Sequence, residues 1–204
     1  MLSGFGAGAV IGVALLDLLP ESLRLAQGVW PTLPVVGVLC AGFALYLGLE
    51  QLGGVLAKGP GLRGNMAAAA LTAHSLIDGL GIGLAYKVSS AAGLIVAAAV
   101  LAHDCVDGAN TVTVSLSAEG KGAPRRWLAA DALAPLVGIL LSQWITVARP
   151  TLALILSGFA GLFLFVGASE LLPQALQRRP GPATAAAVLT GLSLIYAVVL
   201  ASGG

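Results

Sequence analysis

Residues 71–85 read LTAHSLIDGLGIGLA, and residues 94–110 read LIVAAAVLAHDCVDGAN. Both are long apolar runs, and the rest of the 204-residue chain is similar in character: 58% of its residues are hydrophobic and only 9% are charged. A soluble domain carries roughly 25% charged residues, whereas a helix of about 20 mostly apolar residues crosses a bilayer. The composition therefore predicts an all-α, polytopic membrane protein with about seven transmembrane helices.

Breaks at glycine, proline and charged clusters predict one membrane domain over residues 1–204, with short loops. The predicted helices are approximately 2–27, 32–57, 66–86, 91–117, 127–147, 151–177 and 181–202. Positively charged loops tend to stay in the cytoplasm, so the side with more Lys and Arg is predicted to be cytoplasmic, and with it the N-terminus. The cationic residues on that side are Lys58, Arg63, Lys121, Arg125, Arg126, Arg178 and Arg179, against Arg24, Lys87 and Arg149 on the other.

The only two histidines each precede an aspartate and a glycine by the same spacing: His74 with Asp78, and His103 with Asp107. Residues i and i+4 share one face of a helix, so each run presents an imidazole beside a carboxylate. Ionisable groups are costly in lipid and rare there unless they face a partner or a pathway. Two such faces turned toward each other would make a four-ligand metal site at membrane depth.

Two further residues flank these pairs. Asp104 lies about 100° around its helix from the neighbouring histidine, and Ser75 holds the equivalent position in the other run. Imidazole and carboxylate ligands suit Zn²⁺, Fe²⁺, Mn²⁺ or Cd²⁺ better than Na⁺ or K⁺. For either histidine alone, an ordinary hydrogen bond between helices is the competing interpretation.

A second internal repeat pairs Asp17-Leu-Leu-Pro20-Glu21 with Glu170-Leu-Leu-Pro173-Gln174, on helices predicted to run in opposite directions. Matched motifs on antiparallel spans are typical of inverted-repeat transporters, whose site lies near the midplane. Asp17 and Glu170 are candidates for an ion pathway, or else they bond backbone groups that the prolines free.

Two other polar residues admit plainer interpretations. Asn110 could line an exit from the site, although hydrogen bonding between helices explains it as well. Asp131 is predicted to lie near a helix start, where a carboxylate is favoured by the helix dipole.

The two histidine motifs, with the Leu-Leu-Pro-Glu and Leu-Leu-Pro-Gln helices, resemble the ZIP (Zrt/Irt-like) divalent metal transporters over nearly the whole chain. The resemblance implies that the fourth and fifth spans of that family carry the transport site. His74, Asp78, His103 and Asp107 would then form the primary site, and Ser75 and Asp104 would flank a second metal position.

The chain also departs from that family. ZIP proteins usually have eight spans, so the resemblance implies a seven-span variant without the family's first helix. Many members place a glutamate before a proline in the sixth span, where Ala134 precedes Pro135 here. We therefore expect one well-occupied metal rather than two.

The sequence thus predicts a transporter that carries a divalent transition metal into the cytoplasm. Zinc is the first expectation for the transported ion, with iron, manganese and cadmium as alternatives, and no organic cofactor is expected. The expected location is a prokaryotic inner or plasma membrane, as a multi-pass protein without nucleic-acid partners, and a homodimer is one candidate assembly. The competing enzymatic interpretation is an intramembrane metal-dependent hydrolase that uses the same ligands to activate water.

Overall fold

The computed structural model describes residues 2–56, 59–116, 118 and 122–201. Within these residues the chain is helical and has no strand. Two short π-helical segments, π1 and π2, interrupt the first and sixth of seven continuous helical rods. The elements are α1 (Leu2–Gly12), π1 (Val13–Leu18), α2 (Leu19–Ala26), α3 (Thr32–Leu56), α4 (Pro60–Val88), α5 (Ser90–Ser115), α6 (Ala123–Trp144), α7 (Arg149–Phe165), π2 (Val166–Leu171), α8 (Leu172–Arg178) and α9 (Pro182–Ala201).

The seven rods fall where the sequence predicts helices, but two of them begin earlier. Helix α4 starts at Pro60 rather than near residue 66, and α6 starts at Ala123 rather than near residue 127. Both helices carry a proline at one of their first two positions. Proline is tolerated there because the first N–H groups of a helix have no partner within the helix. Prolines that were expected to separate helices therefore lie in the first turns of α4 and α6.

Six stretches of the described chain are long and apolar enough to cross a membrane. They are Ser3–Ala26, Thr32–Gly53, Gly64–Val88, Ala123–Trp144, Arg149–Arg178 and Pro182–Ala201. The outer surface is apolar as well: Leu33, Val55 and Trp144 expose 81%, 75% and 77% of their surface. These features indicate a multi-pass membrane protein. In α5, the described residues form an apolar stretch only over Ser90–Leu101, so seven spans stay a prediction.

The two π-helical segments occupy matching places in the Leu-Leu-Pro repeat. Asp17 is the fifth residue of π1 and Glu170 is the fifth residue of π2. After each segment a leucine N–H bonds five residues back, Leu19 to the carbonyl of Ala14 and Leu172 to that of Gly167. The proline that follows each leucine has no N–H to donate and crowds the preceding turn. The wider turn accommodates that loss, and such turns are frequent at functional sites.

Packing partners come in matched pairs. Helix α1 packs against α9 as α7 packs against α3, and α1 contacts π2 as α7 contacts π1. Helix α1 also lies against α5, and α7 lies against α4. The two rods that contain π1 and π2, here called the bulged rods, therefore face each other in the middle of the molecule. Each of them contacts one of the two histidine-bearing helices.

Helix α4 is also packed tightly against α6. A Cβ atom placed on Gly79 would collide with the backbone of Pro135, and one on Gly138 would collide with the backbone of Leu76. Small residues allow this close approach of backbones, which is typical of helix contacts in membranes. The packing holds α6 directly beside the helix that carries His74.

Candidate metal centre

Three of the predicted ligands meet in the interior. His74, Asp78 and Asp107 each offer one ligand atom, these atoms all lie within 4.8 Å of one another, and all three residues are buried. His74 Nε2 is 3.4 Å from Asp78 Oδ2 and 3.8 Å from Asp107 Oδ2. The first pair is the predicted i,i+4 contact within α4, and the second joins α4 to α5.

These distances are close to those of a tetrahedral zinc site. Zinc lies about 2.0–2.2 Å from nitrogen and carboxylate ligands, which puts adjacent ligands about 3.4 Å apart. The 3.4 Å contact matches this spacing, and the 3.8 Å contact needs a shift of only a few tenths of an ångström. One nitrogen and two carboxylate oxygens are a donor set that zinc, iron and manganese accept.

The charge of the cluster also favours a cation. Asp78 is fully buried, and Asp107 exposes 5% of its surface. Two carboxylates that close together in an apolar interior repel each other, and each loses its hydration. A bound divalent ion would offset both effects.

Two other predicted ligands are placed differently. Asp104 is half-buried and does not belong to the three-residue group found among the described residues. His103 lies within α5, but its side chain is outside the part of the chain that the structure describes. Its role as a fourth ligand stays a prediction.

Ser75 bonds to a residue that sequence reasoning assigned elsewhere. Its hydroxyl donates to Asp131 Oδ1 at 2.8 Å, and the hydroxyl of Thr111 donates to Asp131 Oδ2 at 3.1 Å. All three residues are buried. The prediction that Asp131 caps a helix start was wrong, because α6 begins at Ala123 and has no acidic residue in its first turn. Only tertiary contacts reveal this trio.

Glu170, one of the predicted pathway residues, lies near the cluster. Its carboxylate makes a side-chain hydrogen bond with Tyr46 and interacts electrostatically with His74 and Asp107. The ring of Tyr46 stands edge-on to the imidazole of His74, with centroids 5.8 Å apart, and packs against Phe165 at 5.0 Å. Tyr46 was missed by sequence reasoning, because a lone tyrosine in an apolar helix carries no signal.

Asp17, the counterpart of Glu170, is half-buried and interacts with the charge of Glu21. Its Oδ2 atom is buried and has no hydrogen-bond partner among the described residues. Glu21 itself pairs with Arg24 at the end of the same rod. Asp17 therefore lies one helical turn before Glu21, whose ion pair with Arg24 is at the end of the rod. This rod contacts α5.

Asn110 lies about one helical turn beyond Asp107 on α5, three residues later in the sequence. Its side-chain oxygen accepts hydrogen bonds from Gln174 at 3.1 Å and from Arg178 at 3.4 Å. The Oε1 atom of Gln174 is buried without a hydrogen-bond partner in the described part of the chain. The Leu-Leu-Pro-Gln motif thus contributes one residue near the cluster and one in this polar group.

A scan against models of known protein families and a search of curated proteins find no match to this chain.

Proposed function

We propose that this protein transports divalent transition metal ions across a membrane, with zinc as the first candidate. The observation that carries the proposal is the buried group of His74, Asp78 and Asp107, formed by two neighbouring helices inside an apolar helical protein. A permanent structural site would be expected to have four tight ligands, often thiolates. The ligands in the described part of the group are hard or borderline and include no thiolate, which suits an ion that must also be released.

The surroundings of the group support transport rather than storage. Glu170 offers oxygen atoms to an ion on its way to or from the group, and Asp17 offers another at the opposite bulge. Asn110 would offer its oxygen by releasing Gln174 and Arg178. The matched packing of the two bulged rods is what an inverted-repeat transporter, with its site at the interface of the repeats, would be expected to show. The π turns of both rods also fit a functional site, where such turns are frequent.

The family, the direction of transport, the membrane and the number of bound ions are further parts of this proposal, which rest on the sequence. The protein would be a ZIP-like importer of the inner or plasma membrane that delivers the ion to the cytoplasm, acts without an organic cofactor and holds one metal at a time. His103 would complete the ligand set, and Asp104 would flank it. A homodimer is compatible with the apolar outer surface of α3 and α9, where large residues such as Leu45 and Leu189 are exposed.

The experiment is zinc uptake into proteoliposomes loaded with a fluorescent zinc indicator. The wild-type chain is compared with Asp78→Asn, which keeps the side-chain shape but loses the charge. Glu119→Gln, between α5 and α6 in the sequence, is a matched control for the loss of one carboxylate. The proposal expects saturable uptake by the wild type and the control, and background uptake by Asp78→Asn.

Two outcomes would contradict the proposal. Uptake by Asp78→Asn at the wild-type rate would show that the buried group does not lie on the transport path. Stoichiometric zinc binding without uptake by the wild type would favour the hydrolase, in which the same ligands leave a coordination position for water. Turnover of an ester or peptide substrate by the zinc-loaded protein would then be measured.

A further inference from the structure

The trio of Ser75, Thr111 and Asp131 joins three helices beside the buried cluster of His74, Asp78 and Asp107, here called the metal group. Ser75 directly follows His74 on α4, and Thr111 lies one helical turn after Asp107 on α5. Asp131 comes from α6 and binds one hydroxyl with each of its two oxygens. It is therefore the one described residue outside α4 and α5 that bonds to both helices next to their ligands.

We propose that Asp131 is a positioning residue of the metal centre. By holding one hydroxyl of α4 and one of α5, it sets the distance between the two helices that supply the ligands. The proposal rests on the function proposed above, since positioning matters only if the group binds a metal. Ligands must be held within about 0.5 Å of their productive geometry, and the contact of His74 with Asp107 spans the gap between α4 and α5.

Stability alone does not explain this carboxylate. Buried hydroxyls on helices can bond to a carbonyl of their own helix, as Ser115 does to Thr111 and as Ser75 does in part to Leu71. Neither hydroxyl therefore needs Asp131. A carboxylate buried with two hydroxyl donors loses much of its hydration, and an apolar side chain of similar size is often as stable or more so. A buried polar network that is fully bonded does, however, fix one arrangement of its helices.

The amide isostere separates positioning from charge. The oxygen of an asparagine at position 131 would accept a hydrogen bond from one hydroxyl, and its NH₂ group would donate one to the oxygen of the other. Asp131→Asn therefore keeps both links and loses the charge, whereas Asp131→Leu loses both links. Ser75→Ala and Thr111→Val each remove one link. Thr113→Val on α5 is the matched control, because Thr113 is exposed and, among the described residues, its hydroxyl bonds to Ala109 of its own helix.

Two readouts are needed. The first is Co²⁺ binding to the purified protein, followed by the absorption bands that report the geometry of the bound ion. The second is the distance between spin labels at positions 73 and 109, exposed on α4 and α5, measured without metal by pulsed electron paramagnetic resonance. The labels are placed in a chain whose two cysteines are replaced by alanine.

The proposal expects Asp131→Asn and Thr113→Val to bind Co²⁺ within about threefold of the wild type, with the same bands and the same distance. Loss of a residue that orients metal ligands typically weakens binding by about 10–100-fold. Asp131→Leu and Thr111→Val are therefore expected to bind at least about tenfold more weakly, with altered bands and a broader distance distribution. If Asp131→Leu does not fold, Ser75→Ala and Thr111→Val decide the question.

Three results would overturn it. Unchanged bands and distance in folded Asp131→Leu, with only a lower melting temperature, would make the trio merely structural. Equal loss of affinity in Asp131→Asn and Asp131→Leu would mean that the charge acts, and not the links. An unchanged distance in all variants would show that the trio sets no spacing. A wild-type protein that binds no Co²⁺ would contradict the proposed function, and the distance measurement would then decide only whether Asp131 sets the spacing of α4 and α5.

Discussion

Asp107 lies on α5 and brings its carboxylate to a histidine and an aspartate of α4. The spacing in the sequence predicts the contact of His74 with Asp78, because an i,i+4 pair is local. The same spacing predicts a second local pair, His103 with Asp107 on α5. It does not predict that the two helices turn these faces toward each other. That contact depends on packing, and the structure shows it as a 3.8 Å approach of Asp107 to His74.

The carboxylates of Asp78 and Asp107 should contribute most of the metal affinity of the group. We expect Asp78→Asn and Asp107→Asn each to weaken zinc binding by more than about 100-fold, since changes in residues around a metal's direct ligands already cost about 10–100-fold. Isothermal titration of the purified protein would measure this, with circular dichroism to confirm the fold. Affinities within a few-fold of the wild type would contradict the assignment of these ligands.

Tyr46 offers a way to separate binding from movement of the ion. Tyr46→Phe keeps the ring that contacts His74 and Phe165 but removes the hydroxyl that bonds to Glu170. Because Tyr46 is not itself placed among the ligands, we expect zinc affinity to change by less than about tenfold and the uptake rate to fall. An unchanged uptake rate would show that the bond between Tyr46 and Glu170 has no part in transport.

At the scale of elements, the π-helical segments set the direction of two carboxylates. One extra residue in a turn rotates the helix before it by about 100° relative to the helix after it. We therefore expect Glu170 to face Tyr46 and the buried His74 cluster only while π2 keeps its wider turn. The sequence predicts a disturbance at Pro20 and Pro173, but a proline can produce a kink as well as a π turn, and the structure is needed to choose.

Replacing each proline restores a backbone donor. A proline inside a regular α-helix costs about 3 kcal/mol or more, and the π turn already relieves part of that cost. Pro173→Ala and Pro20→Ala should therefore raise the melting temperature only slightly. We also expect zinc uptake to fall, because a regular α-helix would turn Glu170 or Asp17 away. Thermal unfolding and proteoliposome uptake of the same samples test both halves. Full uptake at a raised melting temperature would show that the bulges are dispensable.

The contact between α4 and α6 provides a test of packing. A methyl group on Gly79 meets the backbone of Pro135, whereas one on Gly48 of α3 meets nothing within 4 Å. Overpacking costs about 1–3 kcal/mol, while glycine to alanine in an open helix gains about 1 kcal/mol. Gly79→Ala should therefore lower the melting temperature and Gly48→Ala should raise it slightly. Equal shifts for both variants would contradict the close approach of α4 to α6.

At the scale of the whole molecule, sequence and structure agree on seven helical rods in the described part of the chain. Apolar runs, prolines and glycines predict them because each rod must satisfy its own backbone in lipid. The first turns of α4 and α6 were missed, and with them the interior place of Asp131, since a helix start is the least certain boundary in a sequence. The trio around Asp131 and the contact of Tyr46 with His74 join distant parts of the chain, which periodicity does not encode.

The orientation in the membrane is a prediction about the molecule as a whole. Single cysteines at Gln27 and Thr146 should react with an impermeant maleimide in intact cells, because both exposed positions are predicted to lie outside. Cysteines at Ala118 and Arg179 should react only after permeabilisation. The opposite pattern would reverse the orientation and, with it, the proposed direction of import.

The most direct test of the central claim is a crystal of the zinc-loaded protein measured at the zinc absorption edge. We expect one anomalous peak in the interior, about 2.0–2.2 Å from His74 Nε2 and from carboxylate oxygens of Asp78 and Asp107. The His103 imidazole would be expected to complete the set. Zinc bound only at the surface, with the three buried side chains still in place and no peak between them, would contradict it.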